Sequence, residues 1–180
     1  MTAGPHVRDM TAADCEAVAA ARVTGWRTAY RGLVPQTYLD ALSVERDAER
    51  RREQLARGDG SVVHLVAERA GEVIGWGCGG PYREESGART ADGEVYALYV
   101  RPDHWSTGAG RLLLAGLTAR VAAQGHPRLL LWVLKANDRA RRFYERAGFA
   151  PDGAEEDFVA DGIAVPEVRY VRRLTEGGAR

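Results

Sequence analysis

The stretch Leu98-Tyr99-Val100-Arg101-Pro102-Asp103-His104-Trp105-Ser106-Thr107-Gly108-Ala109-Gly110-Arg111 decides how this 180-residue chain reads. An apolar run ends and a short polar turn follows. Two glycines then open a segment with Leu113, Leu117 and Val121 on one helical stripe. The first turn of a helix leaves N–H groups unpaired and carries about half a positive charge. An anion placed there meets ready donors. Glycine at 108 and 110 lets a large phosphate group approach the main chain without meeting a Cβ, and Arg111 adds a cation. Taken alone, these residues fit a diphosphate cradle and a plain tight turn equally.

Working outward, the helix runs from Gly108 to about Gln124 and stops at Gly125 and Pro127. Apolar strands at 94–100 and 128–134 flank it. Strand–helix–strand implies a parallel pair with a right-handed crossover. Residues 137–147 form a helix with Ala140, Phe143, Tyr144 and Ala147 inward, closed by Gly148, and strands follow at 154–160 and 167–174. The tail 175–180 is expected to fray. Upstream, a short strand at 6–8 precedes Thr11 and Asp14, a helix-start signal. Cys15, Val18, Ala19, Arg22, Val23, Trp26, Ala29 and Tyr30 then recur at steps of three and four. A short helix at 36–42 and a charged one from Ser43 to Arg57 come next. Residues 61–68 and 73–78 read as an antiparallel hairpin. Residues 81–93 form a polar loop holding Glu84, Glu85 and Asp92. The fold class is α/β, or α+β: a mixed central sheet with helices on both faces, in one domain over 1–180.

Composition narrows the function. Hydrophobic residues make up 45% and charged residues 28%, as in an ordinary globular protein. Lys plus Arg total 25 and Asp plus Glu total 25, which removes the electrostatic footprint of a general nucleic-acid binder. No apolar run reaches the roughly 18 residues of a membrane span. The opening MTAGPHVRDM lacks a signal-peptide core, so a cytoplasmic protein is expected, with neither nucleic acid nor membrane as partner. Cys15 and Cys78 are isolated and read as small buried residues. His6, His64, His104 and His126 have no metal-ligand spacing, and no metal is expected.

Other phosphate-binding patterns fail. No Gly-Lys pair exists, so the phosphate loop of nucleotide hydrolases is absent. A formal GxGxxG occurs at Gly75-Trp76-Gly77-Cys78-Gly79-Gly80, but it lies within a strand and runs into Pro81 instead of a helix. At residues 98–111 the chain instead resembles the GNAT superfamily of acyl-CoA-dependent N-acyltransferases. That family's cofactor motif is [QR]xxGx[GA] after a strand ending aliphatic–aromatic–Val–x–Pro. Here LYVRP is followed by Trp105-Ser106-Thr107-Gly108-Ala109-Gly110, with Trp105 where Gln or Arg is usual. A second hallmark is Asn137, Ala140, Phe143-Tyr144-Glu145 and Gly148-Phe149. Upstream, Trp26…Tyr30-Arg31-Gly32-Leu33 before Pro35 also looks like one large branch of the family.

The resemblance implies a mostly antiparallel sheet with one splayed parallel pair, and acetyl-CoA as cosubstrate. Backbone groups of Leu98, Tyr99 and Val100 would meet the pantetheine arm. The amides of Ser106, Thr107, Gly108, Ala109, Gly110 and Arg111 would hold the pyrophosphate, and Asn137 would hydrogen-bond the cofactor. Tyr144 would protonate the departing thiolate. Glu94, six residues before Val100, would be the base; the position other branches use on the second parallel strand holds Trp132 here. Trp26 and Tyr30 would line the acceptor pocket. The chemistry is self-consistent. An amine must be neutral to attack a thioester, so a base is needed, and the oxyanion needs a donor. The expected activity is acetyl transfer to a primary amine, either a small molecule or a peptide. The alternative is a catalytically weak acyl-CoA-binding sensor. The resemblance leaves a homodimer open, and the acceptor is not legible.

Overall fold

The computed structural model describes residues 4–84 and 90–174. Seven strands form one sheet: β1 (His6–Asp9), β2 (Val63–Arg69), β3 (Glu72–Pro81), β4 (Gly93–Val100), β5 (Arg128–Leu134), β6 (Ala150–Ala160) and β7 (Ile163–Arg173). Their order across the sheet is β1-β2-β3-β4-β5-β7-β6. Neighbours are antiparallel except β4 and β5. Those two are joined by the helix α4 (Ala109–Ala123), the crossover that a parallel pair requires. The other helices are α1 (Cys15–Ala29), α2 (Gln36–Asp40), α3 (Val44–Arg57) and α5 (Asp138–Arg146). Among the described residues no helix is long and apolar enough to cross a membrane.

The parallel pair is bridged only at Gly93↔Leu129 and Glu94↔Leu130. Beyond that point β4 keeps pairing with β3 as far as Val100, and β5 keeps pairing with β7 as far as Leu134. The two strands part. A register shift at Cys78/Gly79 marks the cause: Gly79 faces Val95, Cys78 faces Ala97, and Tyr96 is the extra residue of a bulge. A bulge bends its strand and increases its local twist. The Tyr96 hydroxyl donates to Pro81 O and anchors the bent segment.

The sheet carries apolar layers on both sides. Leu113, Leu117 and Val121 of α4 pack with Leu65, Ile74, Leu129 and Leu131, and α5 adds Phe143 and Tyr144 to that layer. On the other face α1 and α2 bring Val18, Trp26 and Leu39 against Val66, Trp76, Leu134 and Val165. The glycines of the formal GxGxxG serve this packing. A Cβ on Gly77 would lie 2.8 Å from Leu117, and one on Gly79 would lie 2.7 Å from Glu94 O. The bare strand lets α4 approach and β4 bend.

β3 continues to Pro81, beyond the Cys78 end expected from sequence, because the packing that excludes side chains there compensates for the weak strand propensity of glycine. β6 begins at Ala150, and its exposed edge position explains why polar residues hid it. Cys15 and Cys78 are buried free thiols, and burial pushes Cys78 up to about 12. The expected fraying of 175–180 lies outside the described residues.

Asp14 ties the first strand to the first helix. Its carboxylate accepts from Thr11 N–H at 2.7 Å and from the Thr11 hydroxyl, and it takes both terminal nitrogens of Arg8, at 2.8 and 2.9 Å. Arg8, then Thr11, hold its pKa down at about 2. That lies below the unfolded value of roughly 3.9. The stabilisation is therefore whole above about pH 4 and is lost as pH falls through about 2. Asp14→Asn should cost about 2 kcal/mol in urea unfolding at pH 7 and only a small part of that near pH 2. An equal cost at both pH values would show that the carboxylate charge is not what stabilises.

Candidate active site

The turn between β4 and α4 presents unpaired main-chain donors. Ser106 sits at φ 64° and Gly108 at φ 93°. Alternating left- and right-handed residues turn successive N–H groups into one concavity. The first N–H to find a helical acceptor is that of Leu112, which donates to Gly108 O at 3.0 Å. Among the described residues, none of the N–H groups from Ser106 to Arg111 donates to a backbone or side-chain acceptor of the protein. The Thr107 hydroxyl donates to His104 O and fixes the turn. A Cβ at Gly108 would meet nothing within 4 Å, so glycine is required there by its backbone angle and by what must approach it. This donor set fits a diphosphate.

Trp105, which stands where the resemblance has Gln or Arg, has two jobs. Its indole N–H donates to Val100 O at 2.8 Å and pins the turn to the end of β4. Its ring lies beneath the Arg139 guanidinium, whose carbon is 3.5 Å from the ring centroid. Arg139 has no acidic partner among the described residues, and burial pushes its pKa down. A cation is thus held beside the turn by stacking instead of by residue 105 itself. Arg111 is exposed in the first turn of α4, also without an acidic partner among the described residues.

The gap between β4 and β5 exposes a strand edge. Arg101 N–H donates to Ile74 O, so antiparallel alternation turns the main chain of Arg101 and Tyr99 toward β3. The main chain of Leu98 and Val100 then faces the gap, with Val100 O taken by Trp105. Tyr99 differs from expectation here. Its peptide groups pair with Trp76, and it contributes its ring. Asn137 caps α5, its Oδ1 accepting Ala140 N–H at 3.2 Å. The side-chain amide nitrogen has no hydrogen-bond partner among the described residues.

Three phenols converge across the opening. Tyr144 comes from the α5 side of the sheet, Tyr30 from the α1 side, and Tyr99 from β4. The charge of any one would be felt by another, and burial pushes all three pKa values up. Trp26 meets Tyr30 edge-on at 4.6 Å and also faces Tyr38, Tyr99 and Phe158. Trp26, Tyr38, Tyr96, Tyr99 and Phe158 line part of a cavity of about 1020 Å³ on that face. Trp26 lines this cavity. Tyr30 stands behind it in the aromatic cluster.

Glu94 is buried, not a solvated edge residue. Its Oε2 accepts Arg83 N–H at 3.1 Å, and its Oε1 lies 3.5 Å from the guanidinium. Burial raises its pKa and Arg83 pulls it back. Sequence reading passed over a second carboxylate. Glu167 on β7 is half-buried, opposite Leu134, and burial lifts it to about 7 with the charges of Glu156 and Glu94 assisting. The available signal was a lone acid within the apolar run Ile163-Ala164-Val165-Pro166-Glu167-Val168. Asp92 is buried and forked to Arg128 at 2.9 and 2.6 Å. Glu84 lies in the loop after β3, and Glu85 lies outside the described residues.

Comparison with known proteins agrees with this geometry. Residues 25–149 match the model of the acetyltransferase (GNAT) family. A probable N-acetyltransferase of Mycobacterium tuberculosis is 30% identical over 169 residues, covering 92% of this chain and 91% of that protein. An uncharacterized N-acetyltransferase of Bacillus subtilis is 29% identical over 163 residues, covering 90% and 89%. The crystal structure of the PaiA N-acetyltransferase from Thermoplasma acidophilum in complex with coenzyme A superposes with a TM-score of 0.76, at 18% identity, over 95% of this chain and 99% of that one.

The turn's dependence on Trp105 is testable by calorimetry. Trp105→Ala removes the bond to Val100 and the platform under Arg139. The Kd for coenzyme A should rise about tenfold, or about 1.4 kcal/mol. An unchanged Kd would separate this turn from the ligand.

Proposed function

The chain belongs to the acetyltransferase (GNAT) family, and from that membership we propose that it moves an acetyl group from acetyl-CoA to a primary amine by direct attack within a ternary complex. The observation that carries this reading is the juxtaposition of the free amides at Ser106 to Arg111 with the strand edge left open where β4 and β5 part. The amides and Arg111 take the pyrophosphate, with Arg139 as a further cation. The main chain of Leu98 and the N–H of Val100 pair with the pantetheine arm as an added strand would. The side-chain amide of Asn137 donates to the same ligand. The thioester then lies where the three phenols meet.

The amine enters from the α1 face, past Trp26. Its ammonium gives one proton to a carboxylate on that face, Glu94 being the one the family resemblance supplies. The nitrogen lone pair attacks the thioester carbon, forming the C–N bond and an oxyanion. A main-chain N–H at the end of β4 stabilises that charge. The C–S bond breaks as the intermediate collapses. The thiolate takes a proton from Tyr144, and the second nitrogen proton restores the phenol. Burial keeps Tyr144 protonated throughout the neutral range, so it serves as a donor and never as a base. Neither buried cysteine is needed, since no covalent acyl-enzyme is formed.

Thiol release from acetyl-CoA, followed over an Ala-led peptide, L-lysine, spermidine and an aminoglycoside, tests the reading. Turnover of at least one amine is expected. Tight acetyl-CoA binding without turnover on any of them would favour a sensor. Tyr144→Phe should lower kcat at least about tenfold and leave the KM for acetyl-CoA nearly unchanged. An unchanged kcat would remove Tyr144 from the mechanism.

A further inference from the structure

We infer that Glu167, rather than Glu94, contacts the acceptor nitrogen and takes its first proton; this rests on the transfer reading above. The argument begins with position. β5 pairs with β7 along its length, and Leu134 at its end faces Glu167. Counting on from Glu94↔Leu130, and passing over the extra bulge residue Tyr96, brings Leu134 level with Tyr99, next to Leu98, whose edge lies open. Glu167 therefore sits on the strand next to the open end of β5, on the far side of β5 from the gap. Glu94 lies four residues back along β4 from Leu98, about 10 Å at the usual rise of a strand once the bulge at Tyr96 is allowed for.

Facing and company agree. Along β7, Glu167 shares its side of the sheet with Val165, which packs among Trp26, Leu134 and Ala160. That is the acceptor side. Tyr30, the residue that caps α1, lies near enough for the Glu167 charge to help raise its pKa, after burial and the phenols of Tyr99 and Tyr144. The other charged groups around it are Glu156, its cross-strand partner on β6, and Glu94 on β4. The neighbouring cations are engaged elsewhere: Lys135 holds both oxygens of Glu155, and Arg169 holds Asp152 and Tyr82. The Glu167 carboxylate has no hydrogen bond or ion pair among the described residues. A half-buried carboxylate without a cation, beside two other acids and a wall of aromatic rings, is a site for an ammonium group. Glu94, by contrast, has both oxygens committed to Arg83.

The step balances. The ammonium N–H bond breaks, its proton passes to a Glu167 carboxylate oxygen, and the electron pair stays on nitrogen to attack the carbonyl. Glu167 later returns that proton to solvent, which is the net proton released when an ammonium ion becomes an amide. A carboxylate with its pKa near neutrality combines a useful ionised fraction with proton affinity.

The experiment is the pH dependence of kcat/KM for whichever panel amine the wild-type chain turns over fastest, at saturating acetyl-CoA. The wild type should lose rate below about pH 7, where Glu167 becomes protonated. Glu167→Gln should lower kcat/KM about hundredfold and abolish that limb. Its melting temperature and its acetyl-CoA Kd should hold, since the substitution is isosteric and removes an unpaired charge. Glu167→Asp should keep the limb at reduced rate. Glu94→Gln should also keep it, moved to lower pH because a neighbouring negative charge is gone. A limb that survives in Glu167→Gln and disappears in Glu94→Gln overturns the inference and leaves the transfer reading standing. A wild type that turns over no amine overturns the transfer reading itself, and the inference with it.

Discussion

Two parallel strands that part after two bridging pairs leave main-chain donors and acceptors that neither strand satisfies. Buried backbone groups are almost always paired, so an unpaired strand edge in the middle of a sheet is a site waiting for a partner. The bulge at Tyr96 creates this opening. Gly79 permits the bulge, because any side chain there would strike the β4 main chain. The helix that links the strands must begin at the open end. Its own unpaired N–H groups therefore stand beside the unpaired edge. An extended amide-bearing chain ending in a diphosphate satisfies both at once, and coenzyme A has that shape.

The same parting joins the two faces of the sheet. Tyr144 belongs to the layer under α5 and Tyr30 to the layer under α1, yet they influence one another because no paired strand separates them. On the proposed mechanism, a thioester in the opening is reached from one side by the phenol that would protonate sulfur. From the other side it is reached by the amine. The cosubstrate would keep the proposed acid and base apart, and the environments of the two residues differ. Tyr144 is enclosed by rings, while Glu167 lies among acids.

Much of this was legible in the chain. The stripe of Leu113, Leu117 and Val121 and the apolar runs of β4 and β5 reflect burial, which composition and period record directly. The glycine-led start of α4 and the Asn137 to Phe149 segment carry the family's pattern in order. What escaped was set by partners distant in sequence. β6 is an exposed edge, so the polar residues 150–153 that open it gave no alternation to read, although 154–160 read as a strand. Asp92 looked like a free loop acid until Arg128 closed on it. Arg139 acquires its place only through the ring of Trp105. Glu167 reads as an ordinary strand residue until the sheet order puts β7 beside the open end of β5.

Amide hydrogen exchange with and without coenzyme A tests the central claim most directly, because it reports on the main-chain groups at issue. Occupation of the open edge and the turn should slow exchange at Leu98, Val100 and Ser106 to Arg111, and leave β1 and β6 unaltered. Binding of coenzyme A with those amides exchanging at their original rates would contradict the account.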